Sequence, residues 1–221
     1  MVSPLLGQNN METKRRDTEM KYECIIVGGG IAGLQAAIQL GRYMHQVLVI
    51  DSSDGRSTLC RSYHNILGYP DGVSGQHLRQ IGKQHAEQLG ITFFDGKVNS
   101  AGKMENGFQV MTENGESFLG ERLLLATGVM DRIPPFTELF PCLGISVYVC
   151  PDCDGYEVKG KRTVIFGSGH TGVETVKILS YWTNELIFIN HEQQPLDEKD
   201  RQTLSQYKVE YIETPVKQVL A

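Results

Sequence analysis

Cys150 and Cys153, separated by two residues, open the stretch "CPDCDGYEVKGKRTVIFGSGHTG", and Thr163, ten residues past Cys153, starts a run that ends in a glycine-rich turn. A cysteine pair at this spacing has two chemistries open to it: it can cycle between dithiol and disulfide, or supply half of a tetrahedral zinc site. Zinc needs four ligands. Cys142 offers a third, but no fourth has suitable spacing, because His170 lies inside the glycine turn and His191 at a strand end. The redox reading is the stronger one, and no metal is expected. A dithiol passes electrons only to a group in contact with it, through a mixed disulfide or a flavin adduct. At the entrance of a nucleotide-binding unit, domain motion could present it to a flavin or to a substrate. Asp152, between the cysteines, is expected to oppose thiolate formation through its charge.

Two glycine motifs carry the second kind of chemistry. Gly28-x-Gly30-x-x-Gly33 follows an apolar run and opens a helical pattern, with Ile31 and Ala32 inside the loop. In such a loop the first glycine permits the turn, the second lets the backbone approach a pyrophosphate, and the third packs helix on strand. Asp51 arrives eighteen residues after Gly33, where an acid takes ribose hydroxyls. Gly167-x-Gly169-x-x-Gly172 repeats the plan, with Glu192 twenty residues beyond Gly172. Two fingerprints imply two dinucleotides, and the usual pair is a nicotinamide and a flavin. A decayed second copy is the alternative.

These motifs need elements to hold them. Cys24 to Val27 and Val47 to Ile50 read as strands around a helix through Ile31, Leu34, Ala37 and Ile38. Thr163 to Gly167 and Leu186 to Ile189 do the same around a helix through Val173, Val176, Ile178 and Leu179. A helix is expected at about Gly75 to Leu89, then alternating strands with a hairpin turn at Thr112 to Gly115, then a separate apolar strand "RLLLATG". Pro134, Pro135 and Pro141 mark a junction. The fold class is α/β with two Rossmann-like dinucleotide-binding domains. The boundaries are 1–20 as a disordered extension, 21–131 as the first dinucleotide-binding domain, and 132–221 as the second, carrying the cysteine pair.

The 221 residues are 40% apolar and 21% charged, with net charge −5, which gives no reason to expect nucleic acid or an acidic membrane as partner. No apolar run approaches a membrane span, and the first twenty residues lack the apolar core of a signal peptide. A cytoplasmic location is expected. Five cysteines without a secretion signal do not suggest a disulfide framework; Cys24, Cys60 and Cys142 read as small buried hydrophobes.

"CPDCDG" followed by "VIFGSGHTGVE", with "GGGIAG", "LLLATG" and "HNILGYPDGVSG", resembles the thioredoxin reductase family of pyridine nucleotide-disulfide oxidoreductases, over Lys21 to about Asn190. The resemblance implies that Gly28, Gly30, Gly33 and Asp51 hold the ADP half of FAD, with Ala126, Thr127 and Gly128 closing over it and Asn65 near the flavin. It implies that Cys153 faces the flavin, Cys150 is the interchange thiol, and Asp154 gives and takes the proton. It also implies that 21–131 is the FAD-binding domain and 132–221 an incomplete NAD(P)-type domain, with FAD and a nicotinamide as cofactors and a protein or small-molecule disulfide or dithiol as partner, and it leaves a homodimer open.

Three departures from the family pattern bear on this. The chain ends at "KQVLA", so the rest of the second domain and the return segment to the FAD domain, with its Gly-Asp element, are expected to be missing. That would weaken FAD retention and leave a sheet edge open to other strands. Asp152 is the second departure. The third is the absence of lysine or arginine in Phe188 to Leu196, which points to NADH rather than NADPH. The leading expectation is an FAD-dependent thiol-disulfide oxidoreductase. The rivals are a non-catalytic nucleotide-binding remnant and, more weakly, a zinc-bound interaction module.

Overall fold

The computed structural model describes residues 22–220; the expected extension at 1–20 lies outside them. Continuous apolar runs build the centre of the first unit. β1 (Tyr22–Val27) and β2 (Val47–Asp51) pair in parallel with Ile25 opposite Leu48, and both are buried nearly throughout. Strands covered on both faces read as unbroken apolar runs for this reason. The sheet runs β3 (Thr92–Asp95), β2, β1, β6 (Ser117–Leu125), β5 (Gly107–Thr112), β4 (Val98–Met104).

One face of β1 and β2 packs under the helices. Cys24, Ile26, Val47 and Val49 meet Ala37 of α1 (Ile31–Arg42), Ala86 of α3 (Gly75–Gln88) and Ile91. Ser74 caps α3 by accepting the His77 N–H at 3.1 Å. The opposite face, with Ile25, Val27, Leu48 and Ile50, is closed by Val110, Phe94, Phe118 and Leu123 from the sheet's own strands.

The hairpin strand and the apolar closing strand, expected as separate, are one nine-residue strand. Its first half pairs antiparallel with β5 and its second half parallel with β1, Gly120 being opposite both Phe108 and Tyr22. A Cβ on Gly120 would lie 2.8 Å from Ile25, so the missing side chain lets the strand pass closely over the core.

The second unit is a three-stranded parallel sheet, β7 (Thr163–Gly167), β8 (Leu186–Asn190) and β9 (Glu210–Ile212), in that order. Helices α5 (Gly169–Leu179) and α6 (Glu198–Gln206) cover it. Val173, Val176 and Leu179 of α5 pack with Ile165, Leu186, Phe188 and Leu204. Ile178, expected on that stripe, is 37% exposed, because it lies off the face that Val173, Val176 and Leu179 share at three-residue spacing. The described residues also hold two short α-helices, α2 (Arg56–Leu59) and α4 (Pro151–Asp154). Among the described residues no helix is long and apolar enough to cross a membrane.

Candidate functional site

The first glycine loop is built as its fingerprint demands. Gly28 has φ +105°, and a Cβ there would lie 2.3 Å from the Ala126 carbonyl oxygen. A Cβ on Gly33 would come within 1.9 Å of the Gly28 oxygen. Gly30 differs: its Cβ would meet nothing nearer than Ser57 Oγ at 3.9 Å, so the loop is open on that side. Gly30 is the N-cap of α1 and brings no capping side chain, which leaves first-turn N–H groups, those of Ile31, Ala32 and Gly33, free for an anion.

At the end of β2, Asp51 accepts the Gly29 N–H at 2.9 Å on one oxygen and Arg79 of α3 on the other. Ala126 continues β6 by donating its N–H to Val27 at 2.8 Å, which sets the Ala126 carbonyl and the Thr127 nitrogen against Gly28, with Gly128 (φ +67°) next in the chain. An open middle glycine, an uncapped helix and an acid held at the strand end fit the pyrophosphate and ribose of a dinucleotide such as FAD.

The cysteine pair lies at the start of α4, with its sulfurs 2.6 Å apart and Cys153 the more exposed. Hydrogen bonding with Cys150, then burial, pushes the Cys153 thiol up to about 12. The charge of Asp154 acts in the same direction, and Arg56 of α2 opposes it. Asp154 is thus a carboxylate that bears on this thiol. Asp154 is itself buried, and burial raises its carboxyl above the usual range, offset by His64 and Arg56.

The loop after α2 meets the cysteine segment. Arg61 N–H donates to Leu143 at 3.2 Å, His64 pairs with Glu157 at 3.6 Å, and a Cβ on Gly144 would lie 2.8 Å from Ser62 nitrogen. This loop, closed by reciprocal Tyr63–Val73 hydrogen bonds of 2.7 and 3.0 Å, carries the exposed Asn65. Cys60 lines a cavity of about 20 Å³ with Arg56, Asp131, Tyr148 and Asp154, a volume on the scale of one water. Cys24 is buried as expected, but Cys60 and Cys142 are only partly so; Cys60 donates to Ser62 carbonyl at 3.4 Å. No group of three or more potential metal ligands occurs among the described residues.

The second loop follows the first in plan. A Cβ on Gly172 would lie 2.2 Å from the Phe188 ring, and Gly167 touches Gly172 closely. Gly169 departs from Gly30: its N–H donates to the buried Asn190 side chain at 2.9 Å, and its Cβ position lies 2.9 Å from Gln194. Glu192 accepts the Ser168 hydroxyl at 2.9 Å, and Arg132 grips both its carboxylate oxygens. These bonds hold the Glu192 carboxyl below its usual range, Ser168 contributing most. Arg132 and Arg79 are the site residues that sequence reasoning missed. Each reaches its acid from a distant part of the chain, and no local pattern announces that.

Burial of Asp154 carries a stability consequence. A carboxyl whose folded pKa is raised is stabilising when protonated; that contribution is complete below the unfolded value and is lost as pH rises through the folded one. At neutral pH the ionised, buried Asp154 is therefore a cost. Asp154→Asn should raise the melting temperature near pH 7, with the gain shrinking as the solution is acidified. Thermal denaturation between pH 4 and pH 8 measures this, and a variant that melts lower at pH 7 would contradict it.

Two nucleotide-type loops in two α/β units, with a dithiol set between them, define a class of flavin- and nicotinamide-linked oxidoreductases. The profile of the pyridine nucleotide-disulphide oxidoreductases matches residues 22–217, and the chain belongs to that family. It is 29% identical over 170 residues to the thioredoxin reductase of Aquifex aeolicus, covering 76% of this chain and 53% of that protein. To the thioredoxin reductase of Treponema pallidum it is 32% identical over 177 residues, covering 78% and 56%. The crystal structure of HlmI superposes with a TM-score of 0.75 at 26% identity, covering 92% of this chain and 64% of that one. The chain spans about half the length of the curated relatives it matches.

Proposed function

We propose that the chain serves FAD-dependent thiol-disulfide exchange at Cys150 and Cys153. The observation that carries this is the pair itself: adjacent sulfurs, one held as a thiol by the other, beside a buried carboxyl and against the loop that follows the first nucleotide site. Cys150 is assigned as the attacking sulfur and Cys153 as the thiol that follows it, in keeping with the direction in which the contact with Cys150 and burial shift Cys153, upward. Cys150 attacks a disulfide, one substrate sulfur leaves as a thiol, and a mixed disulfide forms. Cys153 then gives up its proton and attacks Cys150, releasing the second thiol. The enzyme dithiol has become a disulfide, and the substrate disulfide two thiols.

Asp154 is the nearby group suited to hold and return the Cys153 proton, since its raised affinity for a proton brings it nearer working pH. FAD, held by Gly28 to Gly33, Asp51 and Ala126 to Gly128, would supply the electron pair that regenerates the dithiol. Cys153 is assigned to the flavin side, with Asn65 near the ring, and a protein disulfide such as that of a thioredoxin fits the exposed pair.

For the second loop we propose NADH. Glu192 offers a ribose hydroxyl an acceptor, and its ion pair with Arg132 carries no net positive charge for a 2′-phosphate. The chain loaded with FAD and mixed anaerobically with NADH, then with an aryl disulfide, tests the whole reading. Bleaching of the flavin absorbance followed by its return with thiol release is expected. A flavin that is reduced but never reoxidised by the disulfide would overturn the exchange reaction.

A further inference from the structure

The segment joining the two sheets carries Asp131 and Arg132, neighbours of opposite charge that reach into different units. Asp131 receives two hydrogen bonds from the Arg56 guanidinium, and both side chains are largely covered, at 31% and 17% exposed. Arg132 turns the other way and grips Glu192, just beyond β8. The Arg56–Asp131 pair thus fixes the linker where Arg132 can reach the mouth of the second loop. Glu192 is tied from its other side by Ser168 of that loop.

We infer that Arg132 and Glu192 together determine coenzyme selectivity, Glu192 acting by neutralising a cation that would otherwise receive a 2′-phosphate. This rests on the reading that the second loop binds a nicotinamide dinucleotide. Local sequence shows no cation between Phe188 and Leu196, but the fold supplies one from the linker. A guanidinium is a planar fork suited to phosphate oxygens, and it keeps its charge at any working pH. While Glu192 holds it, an incoming phosphate meets a carboxylate as well as the cation, and the two charges cancel. Removing the carboxylate leaves an unpaired guanidinium at the site. Preference should then pass to NADPH without any arginine being introduced.

The test is a binding measurement on the full 221-residue chain, following quenching or calorimetric heat with NADH and NADPH as the probes. The unaltered chain should bind NADH more tightly. Glu192→Ala should shift the NADPH-to-NADH affinity ratio by about tenfold or more toward NADPH, the scale of one charge-assisted contact. Arg132→Ala/Glu192→Ala should lose that shift. Both side chains are exposed, so the fold should survive, and circular dichroism of each variant checks it. NADH binding with an unmoved ratio in Glu192→Ala, or a shift that persists in the double variant, would overturn the inference alone. Failure of both nucleotides to bind the unaltered chain would overturn the nucleotide reading, and this inference with it.

Discussion

Cys150→Ser should slow stoichiometric reduction of an aryl disulfide by the pre-reduced chain by on the order of a thousandfold or more, the scale of losing a nucleophile. Cys153→Ser should behave differently. Its first attack should remain, releasing one aryl thiol and leaving the other bound to Cys150 as a mixed disulfide that mass spectrometry would locate. The unaltered chain should release two. The contrast follows from the proposed roles and the geometry: with the sulfurs 2.6 Å apart, Cys153 is within reach of a mixed disulfide formed on Cys150. Replacing Cys153 removes that partner but leaves the attacking sulfur in place. Cys60 and Cys142 are partly exposed and will react on their own, so the informative quantity is the rate of the fast phase. This design needs no flavin, and so isolates the dithiol from the question of cofactor retention. A fast phase that survives Cys150→Ser but vanishes in Cys153→Ser would assign the roles the other way round.

The parts of this site that were legible in sequence are those encoded by local rules. A glycine triplet between a strand and a helix encodes a turn, because each missing Cβ is required within a few residues, as Gly33 against Gly28 shows. The CxxC spacing encodes sulfur contact, because the residues between the two cysteines turn into α4 and bring them to one side. Buried strands announce themselves by unbroken apolar runs, and β1, β2 and β8 were found that way. The union of hairpin strand and closing strand into β6 was not legible. It depends on Gly120 lying over Ile25, a contact that becomes visible only when the strands are placed side by side. The cations were invisible for the same reason. Arg79 reaches Asp51 across 28 positions and Arg132 reaches Glu192 across 60, and no spacing rule connects them. Local sequence thus located the acids that follow both glycine loops but could not give their electrostatic state. Asp154 adds a further case: its burial, and with it its raised carboxyl, comes from packing that no local spacing announces.

The first loop should separate binding from folding in a pair of alanine variants. Gly30→Ala adds a methyl group into open space, with Ser57 Oγ the nearest atom at 3.9 Å, and the backbone there (φ −73°, ψ −173°) suits any residue. The cofactor-free protein should therefore melt as before. A pyrophosphate needs to approach this same stretch of backbone, so FAD affinity should fall by about 100-fold, close to 2.7 kcal/mol. Gly33→Ala should reverse the pattern of damage. Its methyl group would be driven to 1.9 Å from the Gly28 oxygen, a backbone atom that cannot move aside without parting α1 from β1. Forced overlaps in a packed region cost about 1–3 kcal/mol, and more when backbone must shift. The cofactor-free Gly33→Ala protein should consequently lose several degrees of melting temperature. Thermal melts without FAD, beside FAD titrations followed by fluorescence quenching, give both quantities for each variant. If Gly30→Ala kept the chain's own affinity for FAD, the first loop would not be where the pyrophosphate sits, and the open face above Gly30 would need another occupant.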